Sequence, residues 1–228
     1  MRRLLPLCLI AAAVPAGPQT PVQSPEKQEL YRQMDAIRAA IRSDEWNEAW
    51  RRSIMLNASL ASLTNTRVSP DLELAHVEMM AGKDAISRAP LLARMTKAAY
   101  AAGNLEKAER YAHETLEAAT HGVFWWTGDA IHQGNIVLGR LSLRHGDVET
   151  AKRYLLLAAR TPGSSTLSTL GPNMGLAKEL LDKGESAAVL QYLEECGIFW
   201  TGSRGKLAEW MALIRAGLKP DFGLNVGY

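Results

Sequence analysis

The sequence predicts an all-α protein, and three observations carry that prediction. Apolar residues recur at helical spacing along most of the chain, no segment sustains the strict two-residue alternation of a half-buried strand, and glycine or aspartate falls at intervals that divide the chain into helix-sized pieces. With 228 residues, 47% of them hydrophobic, the chain is long enough to bury one continuous core without needing a second domain.

The first sixteen residues, MRRLLPLCLIAAAVPA, have two arginines, an apolar run from Leu4 to Val14 and a small-residue Val14-Pro15-Ala16 site, the pattern of a secretory signal peptide cleaved after Ala16. The apolar run is far shorter than the ~20 residues of a membrane-spanning helix, and no later segment reaches that length. The expectation is an exported protein, periplasmic or extracellular, with no membrane span. Residues 17–25 are rich in Pro, Gln, Ser and Thr and read as a flexible leader; residues 26–228 form the helical domain. The chain carries 26 Lys and Arg against 24 Asp and Glu, and without Arg2 and Arg3 the charges balance. That balance argues against a nucleic-acid partner, which demands a basic surface. Cys8 departs with the signal peptide, leaving Cys196, so neither an internal disulfide nor a cysteine-rich metal site is expected.

The helices then follow in pairs. Setting AAGNLEKAERYAHETL on RHGDVETAKRYLLLAA superposes Gly103 on Gly146. Behind those glycines Leu105, Ala108, Tyr111, Ala112 and Leu116 match Val148, Ala151, Tyr154, Leu155 and Ala159, one apolar stripe each. Asn104 and Asp147 stand where an N-cap is wanted. A third copy breaks at Gly184, with Val189, Tyr192, Leu193 and Cys196 as its stripe. A fainter one breaks at Asp44, with Trp46, Ala49 and Leu56. The helices before the breaks also align, pairing Asn135 with Asn173, Leu138 with Leu176 and Gly139 with Ala177.

A helix pair of this kind, as in LGRLSLRHGDVETAKRYL, resembles the tetratricopeptide repeat, and the resemblance extends from Tyr31 to Leu213. The segment GPNMGLAKELLDKGE also resembles a type of small exported bacterial repeat protein of unknown function, which brings no activity with it. Spacings of 43 residues from Gly103 to Gly146 and 38 from Gly146 to Gly184 exceed the regular period of ~34, so inserts separate the repeats. The resemblance implies a right-handed α-solenoid with irregular inter-repeat inserts, without catalytic activity or cofactor, binding a peptide or protein along the groove lined by first helices.

Six residues before each break stands a cation: Arg38, Lys97, Arg140 and Lys178. A row of cations along the groove would suit an acidic peptide or a free chain terminus, with Arg140 expected to make the strongest contact.

The segment GVFWWTGDAIHQGN, residues 122–135, is the largest insert, and it has an echo in GIFWTGSRGKLAEW. Duplication favours a packing device, with Phe124 and Phe199 wedged between repeats and Asp129 and Ser203 starting the next helices. On that reading Phe124→Ala costs about 3 kcal/mol and Trp126→Ala much less. The alternative reading is an exported helical metal-binding protein or enzyme. Trp125, Trp126, His132 and Asn135 would then form a contact patch, and His121, Asp129 and His132 are the residues whose spacing suits a divalent metal. TPGSSTLSTLGP contains neither a nucleophile elbow nor a phosphate loop and reads as a long turn, with Pro172 starting the following helix.

Overall fold

The computed structural model describes residue 32 and residues 69–226, and every described element is helical. The predicted signal peptide, leader, first repeat copy (Asp44, Trp46, Ala49, Leu56) and Arg38 lie outside the described residues.

Helix α1 spans Pro70–Ala81; Ser69 caps it and Pro70 opens its first turn, where the missing N–H costs nothing. A short α2, Ala85–Arg88, and one 3-10 turn, Ala89–Leu91, lead into α3, Leu92–Ala101. Then come α4, Leu105–Ala119; α5, Thr127–Arg144; α6, Val148–Ala159; the short α7, Ser165–Thr169; α8, Gly175–Asp182; α9, Ser186–Cys196; and α10, Lys206–Arg215. Single 3-10 turns cover Thr201–Ser203 and Gly223–Val226.

The three glycine breaks share one geometry. Gly103, Gly146 and Gly184 have φ of 73°, 82° and 86°, a left-handed conformation that a side chain disfavours. In each turn the glycine N–H donates three residues back, and the next N–H donates five residues back: Asn104 to Ala99, Asp147 to Ser142, Glu185 to Leu180. This pattern of bonds satisfies carbonyls that the helix end would leave bare. Asn104 and Asp147 then cap the following helices, accepting from the N–H groups of Lys107 and Thr150. Glu185 in the third copy makes no such cap. A fourth turn of the same type follows α10 at Gly217, where Leu218 N–H donates to Leu213 O. The predicted stripes behind Gly103, Gly146 and Gly184 are buried or half-buried.

Each long helix packs on the next long helix, with α1 reaching α3 across the short α2 and α6 reaching α8 across the short α7; α3 also meets α5, α5 meets α8, and α6 meets α9. Two apolar cores result. One joins Leu74, Val77, Met95, Ala99 and Ala112 to Val137, Leu138 and Leu141 of α5. The other takes Ile136 of α5 together with Leu155, Met174, Leu176, Tyr192, Trp200, Trp210 and Phe222. Gly139 lets α5 approach its neighbours: a Cβ there would lie 2.3 Å from Leu176 Cδ2 and 3.3 Å from the Ala151 carbonyl. The small residue predicted at this column is therefore required by packing.

Two boundaries differ from the sequence reading. Residues 165–169 of the expected long turn form α7, capped by Ser164 accepting from Leu167 N–H. Pro172 precedes α8 by three residues instead of starting it, because Asn173 and Met174 are held by bonds to His132 and Asn225.

Candidate functional site

Among the described residues a cleft of about 1060 Å³ has walls from parts of the chain far apart in sequence. One wall is α3 with the start of α1, contributing Pro70, Glu73, Arg94, Lys97, Ala98 and Ala101. The other is built from the end of α7, the second aromatic loop and the C-terminal arm: Leu170, Trp200, Arg204, Lys206, Leu224 and Asn225.

The far wall is tied together by hydrogen bonds of Asn225 to the backbone. Asn225 Nδ2 donates to the carbonyls of Leu170 and Pro172 at 3.0 and 3.1 Å, and Met174 N–H donates to Asn225 O at 2.7 Å. Trp200 packs against Trp210, with ring centroids 5.6 Å apart, and Trp210 meets Phe222 edge-on. Gly171, at φ 92°, lies under the Trp200 indole: a Cβ there would fall 2.2 Å from Trp200 Cε2. The Trp200 N–H is buried without an acceptor among the described residues. Arg204, with φ 49°, is the one non-glycine residue in a left-handed conformation among the described residues, and Gly205 follows it at φ 85°. The pair turns the chain from the 3-10 turn into α10.

Cations stand on both walls. Arg94 Nε is paired with Glu73 Oε1 at 2.7 Å. Lys97 is half-buried; loss of water lowers its pKa from the ordinary lysine value and nearby Arg94 pushes the same way, while Glu73 partly offsets them. Arg204 and Lys206 are exposed and have no carboxylate partner among the described residues.

Of the three predicted groove cations among the described residues, Lys97 alone lines the cleft. Arg140 is committed elsewhere, with its Nε donating to Glu179 Oε1 at 3.0 Å and its guanidinium 4.3 Å from the centroid of the Tyr100 ring. It clasps α3, α5 and α8 together, so the expected strongest ligand contact is a structural clasp. Lys178 is exposed on α8 and is absent from the cleft lining. Arg38 lies outside the described residues. Of the residues that sequence reasoning missed, Trp200, Arg204 and Leu224 belong to irregular or single-turn segments with no periodicity to flag them, and Lys206 opens α10.

The insert at 121–135 is mostly packing. Trp126, His132 and Asn135 are buried and only Trp125 of the predicted patch faces solvent, so these four make no common surface. The wedge is also reversed. Trp126 is the buried ring, whereas Phe124 lies stacked on it at 5.3 Å and half in solvent. Helix α5 begins at Thr127 and α10 at Lys206, so Asp129 sits within a first turn and Ser203 in a 3-10 turn, and neither caps a helix. Thr127 closes the loop instead, its hydroxyl accepting from Phe124 N–H at 2.8 Å and donating to Gly122 O at 3.2 Å.

His132 is unavailable to a metal because both ring nitrogens serve the backbone. Nε2 accepts from Asn173 N–H at 3.0 Å, which leaves Nδ1 to carry the proton and donate to Ala158 O at 2.9 Å. Burial lowers its pKa to about 4, so the ring is neutral. His121 is exposed, and Asp129 is half-buried with its carboxyl pKa raised by loss of water. No group of three His, Cys, Asp or Glu side chains suited to a metal exists among the described residues. The buried Cys196 thiol is pushed well above its ordinary pKa by loss of water, which makes it a poor nucleophile.

A second, apolar groove of about 570 Å³ lies beside the first aromatic loop. Ile86, Pro90, Leu92, Phe124 and Trp126 form it, with Glu117 at its edge. Glu114, also on its lining, is held by Arg88 through two bonds.

No protein-family model, no curated protein and no solved structure matches this chain.

Proposed function

We propose that this chain is an exported protein-interaction module, a tetratricopeptide-like solenoid that holds a peptide or protein segment in the cleft between α3 and the C-terminal arm. The observation that supports this reading is the cleft itself: about 1060 Å³, its two walls lined by Ala98, Ala101, Leu170, Trp200 and Leu224 together with Lys97, Arg204 and Lys206. Its size is at the upper end for ligand pockets, enough for several residues of extended chain. The recurrent turns at Gly103, Gly146, Gly184 and Gly217 support the repeat reading.

The test uses photo-crosslinking in the native host. A photoreactive residue at Leu170, exposed on the cleft wall, should yield discrete partner adducts, whereas one at Leu157, exposed on α6, should not. Ala101→Trp, which fills the cleft from an exposed position, should abolish the adducts without lowering the melting temperature. Equal labelling from both positions, or adducts that persist in Ala101→Trp, would reject the cleft as the binding surface. N-terminal sequencing of the exported protein should begin near Gly17; an intact MRRLLP start would reject processing.

A further inference from the structure

We propose a second interaction surface, separate from the cleft and independent of it: the apolar groove beside the first aromatic loop receives an amphipathic helix of a partner protein, one that carries a single arginine or lysine beside its apolar stripe. The apolar surface comes first. Ile86, Val123, Phe124 and Trp125 are 85%, 83%, 52% and 75% exposed. Ile86 and Phe124 line the groove together with the buried Trp126, and Val123 and Trp125 flank Phe124 in the loop. Scattered exposed apolar side chains are ordinary on a protein surface, whereas several large ones gathered about one groove mark an interaction site. The exposed Trp125 indole, an anchor of the type that partner surfaces favour, lies outside the groove of about 570 Å³. The apolar area thus runs past the groove, and covering it takes a protein segment instead of a small molecule.

Charge sets the partner's sign. Glu114 and Glu117 stand one turn apart on α4 and both line the groove. Arg88 holds Glu114 through its Nε and a terminal nitrogen and so cancels that charge. Glu117 is exposed and makes no ion pair among the described residues, and neither Lys nor Arg lines the groove. Glu114, Glu117 and His121 share the lining without forming a metal-binding group. One uncancelled carboxylate at the edge of an apolar groove is complementary to one cation at the edge of an apolar stripe, which is the surface of an amphipathic helix. The walls favour the same partner. They come from α2, the 3-10 turn after it, the end of α4 and the first aromatic loop, and no described element offers a strand edge to which an extended segment could add. The carboxylate also opposes docking on an anionic membrane, whose surface carries the same sign of charge.

The experiment measures fluorescence anisotropy of three labelled, end-blocked helical peptides on the full chain. They share one leucine stripe and differ at a single flanking position, which is Arg, Gln or Glu. The Arg peptide should bind about threefold more tightly than the Gln peptide, the size of one exposed ion pair, and at least about tenfold more tightly than the Glu peptide. Ile86→Glu, at an exposed position, should weaken the Arg peptide at least about tenfold at unchanged melting temperature. Glu117→Gln should erase the preference for Arg over Gln, and Glu117→Arg should transfer it to the Glu peptide. Ala101→Trp, which fills the cleft, should leave all three affinities unchanged. Equal binding of the three peptides, full binding by Ile86→Glu, or no binding at all would overturn the proposal. Binding lost in Ala101→Trp would move the peptide into the cleft, overturning the second surface while leaving the interaction module standing. Phosphatidylcholine vesicles, with or without phosphatidylglycerol, should leave the protein in the supernatant on sedimentation; pelleting that Ile86→Glu abolishes would give the surface to a membrane. Light scattering should return the same mass for the wild type and Ile86→Glu; a dimer that this substitution dissolves would give the surface to a second copy of the chain.

Discussion

The two aromatic loops, residues 122–128 and 197–202, look like copies in sequence and behave differently in the fold. Aligned from their first glycines, Phe124 falls on Phe199 and Trp125 on Trp200, but Phe124 and Trp125 are 52% and 75% exposed while Phe199 and Trp200 are 7% and 2%. Aligned instead from the shared Trp-Thr-Gly, Trp126 falls on Trp200 and both indoles are buried. The glycines of that triplet also agree. A Cβ on Gly128 would lie 1.9 Å from the Gly163 carbonyl oxygen, and one on Gly202 would lie 2.8 Å from that of Ser168. Each loop thus seats one indole and brings one glycine against the backbone of the 161–169 connection. The conserved geometry resides at the end of the motif, and the extra tryptophan of the first copy displaces its Phe towards solvent.

The largest expected effects break this equivalence directly. Gly128→Ala drives a methyl group into a backbone oxygen that has no rotamer to escape by, so it should cost about 4 kcal/mol or prevent folding; Gly202→Ala, with a milder approach, should cost about 2 kcal/mol. Chemical denaturation of both variants checks the order, and a reversed order would show that the two glycines do different work.

Next come the indoles. Trp126→Ala and Trp200→Ala should each lose about 3 to 4 kcal/mol as buried aromatic sites are emptied. Phe124→Ala should lose about 1 kcal/mol, since half of its ring is already in water. Should Phe124→Ala instead prove the costlier of the first-loop pair, the alignment from the glycine end would be restored.

His132 sharpens the comparison because its ring packs edge-on to Phe199 of the second loop, with centroids 6.4 Å apart. The folded imidazole has its pKa lowered from 6.5 to about 4 by burial. Between those values the unfolded chain takes up a proton that the folded chain refuses, so the contribution is full above pH 6.5 and is lost as pH falls towards 4. The loss amounts to about 3 kcal/mol. Melting temperature should therefore fall across that window more steeply in the wild type than in His132→Gln. Hydrogen exchange should quicken at residues 197–202 before residues 122–128. Equal slopes would mean that the ring does not govern the acid response. The smallest effect belongs to Trp125→Ala, expected to change stability by less than about 0.5 kcal/mol because its indole makes little buried contact.

The helix pairs were legible in the sequence because their causes are local. A glycine admits a left-handed turn, an Asn or Asp beside it caps the next helix, and the stripe behind it follows the helical period. Leu105 through Leu116 and Val148 through Ala159 needed nothing beyond those rules. The burial of Trp126 in place of Phe124 was hidden because it depends on where the 161–169 backbone passes, which no local pattern reveals. Arg140 misled for the same reason: six residues before the break is a surface column in one helix, but Tyr100 and Glu179 arrive there from two others. The cleft was half legible. Lys97 lies on a periodic helix, whereas Trp200, Arg204 and Leu224 come together only through the bonds that Asn225 makes with Leu170 and Pro172.

Helix α5 supplies Ile136 to one core and Val137, Leu138 and Leu141 to the other. A wall shared in this way couples the melting of the two halves, since neither core can open its α5 side without stripping apolar cover from the other. The described region should accordingly unfold in a single transition, with the central amides of α5 among the last to exchange with solvent. Cutting the chain at the turn after Arg144 should leave neither fragment able to fold independently.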